Sequence, residues 1–540
     1  METKNPEANY NMKFIWLICI VAAMGGLLFG YDWIVIAGAK AFYEPFFNIT
    51  DDTPLMRGCA QSSALFGCIF GAILSGMLTD KFGRKKLLIT AGFVFTASAI
   101  LTAAAWDFTS FLTARIIGGM GIGLASNLSP MYIAEVSPAE MRGKFVSINQ
   151  LTIVIGILMA QITNMCIANP VPTADQIRLV VSSEQAVVNV YGDEYNIEEE
   201  RSAALAITDK QALESVKMEF PALVVTSPPK DDGEAIKEKE RLDNRVMTKY
   251  ILPTWNGQKG WRWMFGAEMI PALAFFVLMF FIPESPRWLV KYGKNEQAEK
   301  ILSRIGGAEY GKVEVADIQQ TLAGEEIAHV RFQDLLEPKL MKIIGLGIFL
   351  AVFQQWCGIN VIFNYAQEVF KQAGYGVTAM LNFAVISAVV NLVATFIAIY
   401  SVDRFGRKVL MLIGAGGLTC FYTLLGTGYY LHSTGIHMVF LIVISIGCYA
   451  MTLAPVTWVL ISELFPNRIR GAAMSIAVLS LWIACTVVTW MFPYLLKMLG
   501  AHGSFWTFGG ICVVGFIVIF KNLPETKGKT LEDIERELVD

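Results

Sequence analysis

Apolar runs of about twenty residues, separated by short polar turns, fill most of this chain. Twelve such runs start near residues 13, 57, 87, 108, 144, 261, 341, 376, 409, 437, 472 and 503. A helix that crosses the hydrocarbon core of a bilayer needs roughly 20 apolar residues. The pattern therefore predicts an all-α membrane protein with twelve transmembrane helices. Two stretches interrupt the rhythm. Residues from about 169 to 258 are polar and acidic, with runs such as GDEYNIEEER and KDDGEAIKEKER. Residues from about 284 to 340 are polar and helix-prone. The first stretch also holds β-prone patches at Ile177 and Pro221, which could form a small sheet, between charged runs that read as solvated loops.

Basic residues set the orientation. The turn after run 2 reads DKFGRKK and the turn after run 8 reads DRFGRK. Both follow an even-numbered run, so even-numbered spans are expected to end in the cytoplasm, with both chain termini on that side. The 169–258 insert then faces outward and the 284–340 linker lies along the inner face. The expected organisation is 1–168 for the first half through helix 5, 169–258 for the insert and 259–283 for helix 6. The linker (284–340), the second half (341–522) and a cytoplasmic tail (523–540) follow.

Composition supports lipid as the solvent. The chain is 54% hydrophobic and 16% charged, against about 25% charged in a typical soluble domain. The net charge of −3 gives no basic balance for nucleic acid. Nine Cys are spread singly, and the four His show no ligand spacing, so neither a disulfide framework nor a metal site is expected. There is no Ser–His–Asp order and no phosphate loop, so no enzyme and no cofactor are expected. The start has no basic n-region, so the first run is expected to be a retained helix. The sequence NIT at Asn48 fits the glycosylation pattern, on a loop at the end of the first run.

The chain repeats itself. Asp80 in DKFGRK recurs as Asp403 in DRFGRK, Glu135 as Glu463 and Arg142 as Arg470, the last two at an offset of 328. PESPRW from Pro283 recurs as PETKGK from Pro524 at an offset of only 241. The difference places an 87-residue insertion between Arg142 and Pro283, where hydropathy independently places one. Two six-helix halves suggest a site between them near the midplane, reached alternately from each side.

These motifs carry a resemblance. GGLLFGYD from Gly25, GMLTDKFGRKK from Gly76, ARIIGGMGIGLASNLSPMYIAE from Ala114, PESPRWL, FQQWCGIN from Phe353, VDRFGRK and PETKGKT resemble the sugar porter branch of the major facilitator superfamily. Within that branch the chain is most similar to bacterial xylose–proton symporters. The resemblance covers all twelve spans and omits the insert. It implies uptake of a monosaccharide, a xylose-like pentose or a hexose, with a proton by a monomer in the bacterial inner membrane. The alternatives are a passive facilitator, and a non-transporting sugar sensor, for which the tail of about fifteen residues is short.

Charges gather at the cytoplasmic helix ends: Asp80, Arg84, Glu135, Arg142, Glu284 and Arg287 in the first half, and Asp403, Arg407, Glu463, Arg470 and Glu525 in the second. The guanidinium fork suits carboxylates. The expectation is a set of ion pairs that latches the halves when the cavity opens outward. The Lys residues there are read as ordinary topology signals.

An ionisable group inside a span marks function by default. Asp32 lies in the outer part of span 1 and Arg115 in the outer part of span 4, so the two are expected to pair. In general an Arg neighbour favours an ionised carboxylate, whereas burial and loss of the partner favour the neutral form. Such a pair can take up and release a proton as conformation changes. A static salt bridge is the alternative. The resemblance implies that Asp32 is the proton-coupling residue, where facilitators commonly carry Asn.

Sugar hydroxyls call for amides, and the ring's C–H face calls for aromatics. Gln150 in span 5, Gln354, Gln355 and Asn360 in span 7, and Asn391 in span 8 supply amides; Phe29, Trp458 and Trp482 supply rings. Gln354 and Gln355 point about 100° apart on a helix, so one faces the cavity and the other grazes it. Span 7 is expected to loosen at Gly358. Against the xylose-symporter pattern, Leu481 and Ile157 stand in place of Gln, Asn364 in place of the first Tyr of a pair, Gln367 in place of Pro and Ala454 in place of Gly. These departures put xylose itself in question more than sugar as a class.

Overall fold

The structure of the protein, a computed structural model, describes residues 10–50, 53–168, 255–327, 338–366, 369–370, 377–433, 435–465 and 470–527. The described elements are helices. Spans 1 to 5 are Met12–Phe46, Pro54–Phe82, Arg84–Ala103, Phe108–Val136 and Arg142–Ala168. Span 6 is built from Asn256–Gly260, Trp261–Gly266 and Met269–Leu278, the first of these a π-helical turn. It is helical about five residues before its apolar run begins, because that turn is polar. Three short helices follow, Pro286–Lys291, Asn295–Gly306 and Ala308–Ile327.

The second half begins with span 7, Pro338–Trp356 and Ile359–Asn364. Spans 8 and 9 are Val377–Phe405 and Arg407–Tyr430, and span 10 is Ile436–Met451 with Leu453–Leu464. The last helix, Arg470–Asn522, contains non-helical backbone at Gly500 (φ +66°). Its apolar stretch of 50 residues would reach about 75 Å as one rod, more than twice the hydrocarbon core. It therefore carries two crossings, spans 11 and 12. The result is the expected all-helical, twelve-helix fold in two halves.

Small residues bring spans together. Gly30 of span 1 lies against the backbone of Ile153, and Gly156 of span 5 against that of Leu27, so that a Cβ on either would overlap a facing carbonyl. In lipid, where apolar surface gains little from leaving the tails, such close packing is what holds helices together.

Two spans are broken. Span 7 stops at Trp356, and Gly358 takes φ +92°, a left-handed conformation that glycine adopts without steric cost. A Cβ at Gly358 would also lie 2.7 Å from the Phe508 ring. Span 10 breaks at Thr452 (φ −125°, ψ −83°). Pro455 lies three residues on; it has no N–H to complete the helix across this point. Gln354 Nε2 donates to Ala454 O at 3.2 Å and joins span 7 to span 10 just beside the two breaks.

The insert between spans 5 and 6 lies outside the described residues up to 254, including the patches at Ile177 and Pro221. Its two flanks are on view. Asn256 Nδ2 donates to Ala168 O at 3.0 Å across 88 residues of sequence. The ends of spans 5 and 6 that flank the insert therefore lie side by side.

Candidate functional site

The repeat is visible atom by atom at the ends that carry the basic turns. Glu284 Oε1 accepts from the backbone N–H groups of Arg84 and Lys85, both at 3.0 Å. Glu525 accepts from those of Arg407 (2.8 Å) and Lys408 (3.1 Å). Each carboxylate caps the N-terminus of the next helix, where unpaired N–H groups and the helix dipole favour negative charge. Gly83 (φ +88°) and Gly406 (φ +92°) make the turns and leave room for these carboxylates. Arg84 Nη2 meets Glu135 Oε1 at 2.9 Å, and Arg407 Nη2 meets Glu463 Oε1 at 3.0 Å. Ser285 donates to the other Glu135 oxygen, and Thr526 donates to Glu463 at 2.6 Å.

Asp80 also holds the linker helices. Its carbonyl accepts from Trp288 Nε1 (2.8 Å) and the Tyr292 hydroxyl (2.7 Å), and its carboxylate pairs with Lys291 at 3.0 Å. Arg142 is exposed beside Tyr310 and Glu314 of the third linker helix. Burial and Asp317 raise the Glu314 carboxyl above its usual range, and Arg142 opposes them. Arg287 is half-buried on the first linker helix. The side chains of Asp403 and Arg470, and Gln367 entirely, lie outside the described residues.

Asp32 and Arg115 meet as expected, 2% and 1% exposed. Arg115 Nη1 donates to Asp32 Oδ1 and Nη2 donates to the Asp32 carbonyl at 2.9 Å. The second bond does not depend on the charge of the carboxylate, so Arg115 keeps one anchor whatever state Asp32 is in. The guanidinium also lies 5.3 Å from the Phe265 ring centroid. Asp32 Oδ2 has no hydrogen-bond partner among the described residues. Sequence reasoning missed a third member. Glu268 of span 6 is 3% exposed, and it interacts electrostatically with both Asp32 and Arg115. The signal was present, an acid inside the apolar run WRWMFGAEMIPALAFF, and the rule that singled out Asp32 applies to it equally.

The span 7 amides form one chain. Gln355 Nε2 donates to Gln354 Oε1 at 3.0 Å, and Asn360 Nδ2 donates to Gln355 Oε1. The two glutamines thus act together, although their helical directions differ. Asn360 Nδ2 also lies 3.6 Å from Cys485 Sγ of span 11. Gln354, Gln355 and Asn360 are 2%, 7% and 5% exposed. Phe29 and Trp482 meet across the two halves with ring centroids 5.6 Å apart. Gln150 and Trp458 are half-buried, and Asn391 is buried on span 8. Among the described residues these three are not hydrogen-bonded to the amide chain. Leu481 and Ile157 are buried, 3% and 4% exposed, where they offer no donor or acceptor.

The end away from the basic turns, expected from the sequence to be the outer end, is closed by contacts between halves. Trp33 meets Phe363 with centroids 5.7 Å apart, and Lys40 Nζ lies 4.4 Å from the Tyr365 ring centroid. Lys40 is 3.5 Å from Glu44, which Arg57 grips through Nε (3.0 Å) and Nη2 (3.2 Å). The Tyr365 hydroxyl donates to Thr489 O at 2.9 Å. Sequence reasoning also missed this charged group, because Lys40 and Glu44 sit in the last turns of a helix 35 residues long.

Comparison with known proteins gives one answer. The family described as sugar (and other) transporter matches residues 18–187 and 246–538. The D-xylose–proton symporter of Escherichia coli (strain K12) is 36% identical over 560 aligned residues, covering 98% of this chain and 96% of that protein. The arabinose–proton symporter of Bacillus subtilis is 33% identical over 529, covering 98% and 96%. A solved structure of the xylose transporter XylE from E. coli, in a partially occluded inward-open conformation, superposes with a TM-score of 0.71 at 33% identity. The match covers 96% of this chain and all of that one. Together with the repeated fold and its motifs, these matches show that the chain belongs to the sugar porter branch of the major facilitator superfamily.

Proposed function

We propose that this protein is a secondary active transporter that takes up a monosaccharide together with a proton by alternating access. One observation carries the reading. A buried carboxylate–arginine pair and a buried chain of three amides lie within one helical bundle, the latter at a break in span 7. The amides offer both donors and acceptors to hydroxyls. The broken helices give span 7 a joint about which its outer segment can move. Asp32 carries the proton, Arg115 sets when it is held, and Glu268 shares their electrostatic environment. Gln150, Gln354, Gln355, Asn360 and Asn391 bind the sugar, with Phe29, Trp458 and Trp482 against its ring. The relatives named for xylose–proton and arabinose–proton symport support this reading.

In this conformation the outer end is closed and the described ion pairs Arg84–Glu135 and Arg407–Glu463 each join helices of one half. Opening of the outer end brings the two cytoplasmic clusters together, and their charges then pair between halves. The setting is a bacterial inner membrane with both termini cytoplasmic, and the working unit is a monomer.

The test is uptake of labelled sugars into proteoliposomes. Accumulation against a gradient is expected with an imposed proton gradient and is expected to vanish when a protonophore collapses it. Equal, purely downhill equilibration in both conditions would instead identify a passive facilitator.

A further inference from the structure

Span 7 resumes after Gly358 as the helix Ile359–Asn364, and the chain at the end of this helix meets the first half. Phe363 is held against Trp33 of the first half, and Tyr365 lies under Lys40 of the first half. Asn364 sits between them, 1% exposed, and its Nδ2 has no hydrogen-bond partner among the described residues. Buried amide groups in folded proteins are nearly always paired, so an open donor one helical turn from the span 7 amides marks a position for a ligand oxygen.

Position on the helix says which oxygen. Asn360 and Asn364 are four residues apart, hence on one helix face, with Asn364 about 6 Å farther outward. Asn360 belongs to the amide chain, where its Nδ2 meets Gln355 and Cys485. The Gln355 and Gln354 amides also donate, to Gln354 and Ala454 respectively. The Tyr365 hydroxyl donates to Thr489 O. Asn364 therefore adds a donor one turn beyond the amides that face the ring hydroxyls. In an aldopyranose the ring hydroxyls sit directly on ring carbons, and the one oxygen set a carbon farther out is that of the exocyclic hydroxymethyl group. Hexoses carry it and pentoses do not.

We infer that Asn364 donates its amide to the exocyclic hydroxyl of a hexose and so makes this transporter prefer hexoses to pentoses. The inference rests on the sugar-transport reading above and narrows it. A site that hydrogen-bonds a hydroxyl discriminates against the analogue that lacks it, because the protein group is then left unpaired.

Two sugar series differ only at this group. D-Glucose, 6-deoxy-D-glucose and D-xylose share one ring configuration, and D-galactose, D-fucose and L-arabinose share another. The full chain, purified in detergent, is titrated with all six by calorimetry, as wild type and as Asn364→Ala. In the series that binds, the hexose is expected to bind roughly tenfold more tightly than its 6-deoxy analogue and its pentose. Asn364→Ala is expected to bring the hexose to the pentose level and leave the pentose unchanged, which also shows that the variant is folded. Pentose binding as tight as hexose in the wild type overturns the inference, and so does a 6-deoxy sugar that matches the hexose. Equal weakening of all members by Asn364→Ala would assign the residue to the packing of span 7 instead. Binding of none of the six, with no uptake, would mean that the sugar reading itself fails.

Discussion

Arg84 and Glu135, 51 residues apart in sequence, form an ion pair of 2.9 Å inside a single six-helix half. Their side chains are only 9% and 10% exposed, whereas Lys291 and Asp80, which pair at 3.0 Å nearby, are 46% and 57% exposed. Burial decides what each pair is worth. Removing one partner of a buried pair costs of the order of 3–5 kcal/mol, because it strands a desolvated charge. An exposed pair is screened and contributes about 0–1 kcal/mol. Glu135→Ala should therefore lower the thermal unfolding midpoint of the purified protein markedly, and Lys291→Ala should leave it almost unchanged. Equal losses would show that the linker helix, and not the buried pair, holds this end together.

Coupling should fail before binding does. Asp32→Asn keeps the shape of the side chain and leaves the Arg115 bond to the Asp32 carbonyl in place, but an amide cannot carry the proton. Gradient-driven accumulation should be lost while sugar binding or exchange survives. Glu268→Gln tests the third member of the cluster by the same uptake measurement and is expected to impair accumulation. Arg115→Ala should be as defective as Asp32→Asn, because it leaves a buried carboxylate without its counter-ion. Undiminished uphill uptake by Asp32→Asn would sink the symport reading.

The amide chain should make the proposed sugar site respond as one unit. Gln355 both donates to Gln354 and accepts from Asn360, so its loss frees both neighbours. Gln150→Ala, Gln355→Ala, Asn360→Ala and Trp458→Ala should each weaken sugar binding by about 1–3 kcal/mol. A double variant, Gln355→Ala with Asn360→Ala, should lose less than the sum of the two single losses, since residues within one hydrogen-bond network are not additive. Calorimetric titration reads both effects. Normal affinity in all four single variants would place the site elsewhere.

The insert should be removable. Its flanks are tied by the bond from Asn256 to Ala168, so a few Gly and Ser residues can close the same gap without pulling spans 5 and 6 apart. Replacing residues 169–254 with such a linker should leave a protein that inserts into the membrane and binds sugar in detergent. A variant that binds but transports slowly would identify the insert as a cover for the outer mouth. Failure both to insert and to bind would make it part of the core.

Much of this protein is written along its chain. Hydropathy alone marks twelve crossings, because each must supply its own run of apolar residues whatever it packs against. The repeat locates the Glu135–Arg142 and Glu463–Arg470 ends and isolates the insert, because duplicated motifs keep their spacing. Gly358 marks the break in span 7, since only glycine takes its φ without cost. The pairing of Asp32 with Arg115 follows from opposite charges at similar depth in one half. Other features depend on which helix faces which. No local pattern shows that Glu525 caps the helix beginning at Arg407, or that Lys40 of span 1 lies over Tyr365 of span 7. Nor does it show that Gln354 and Gln355, side by side on one helix, join Asn360 across a break. Helix direction fixes where a side chain starts, but hydrogen bonds and charge pairs close only between particular atoms a few ångströms apart. Those distances are set by how the helices pack within each half and, for Lys40 and Tyr365, by how the two halves meet.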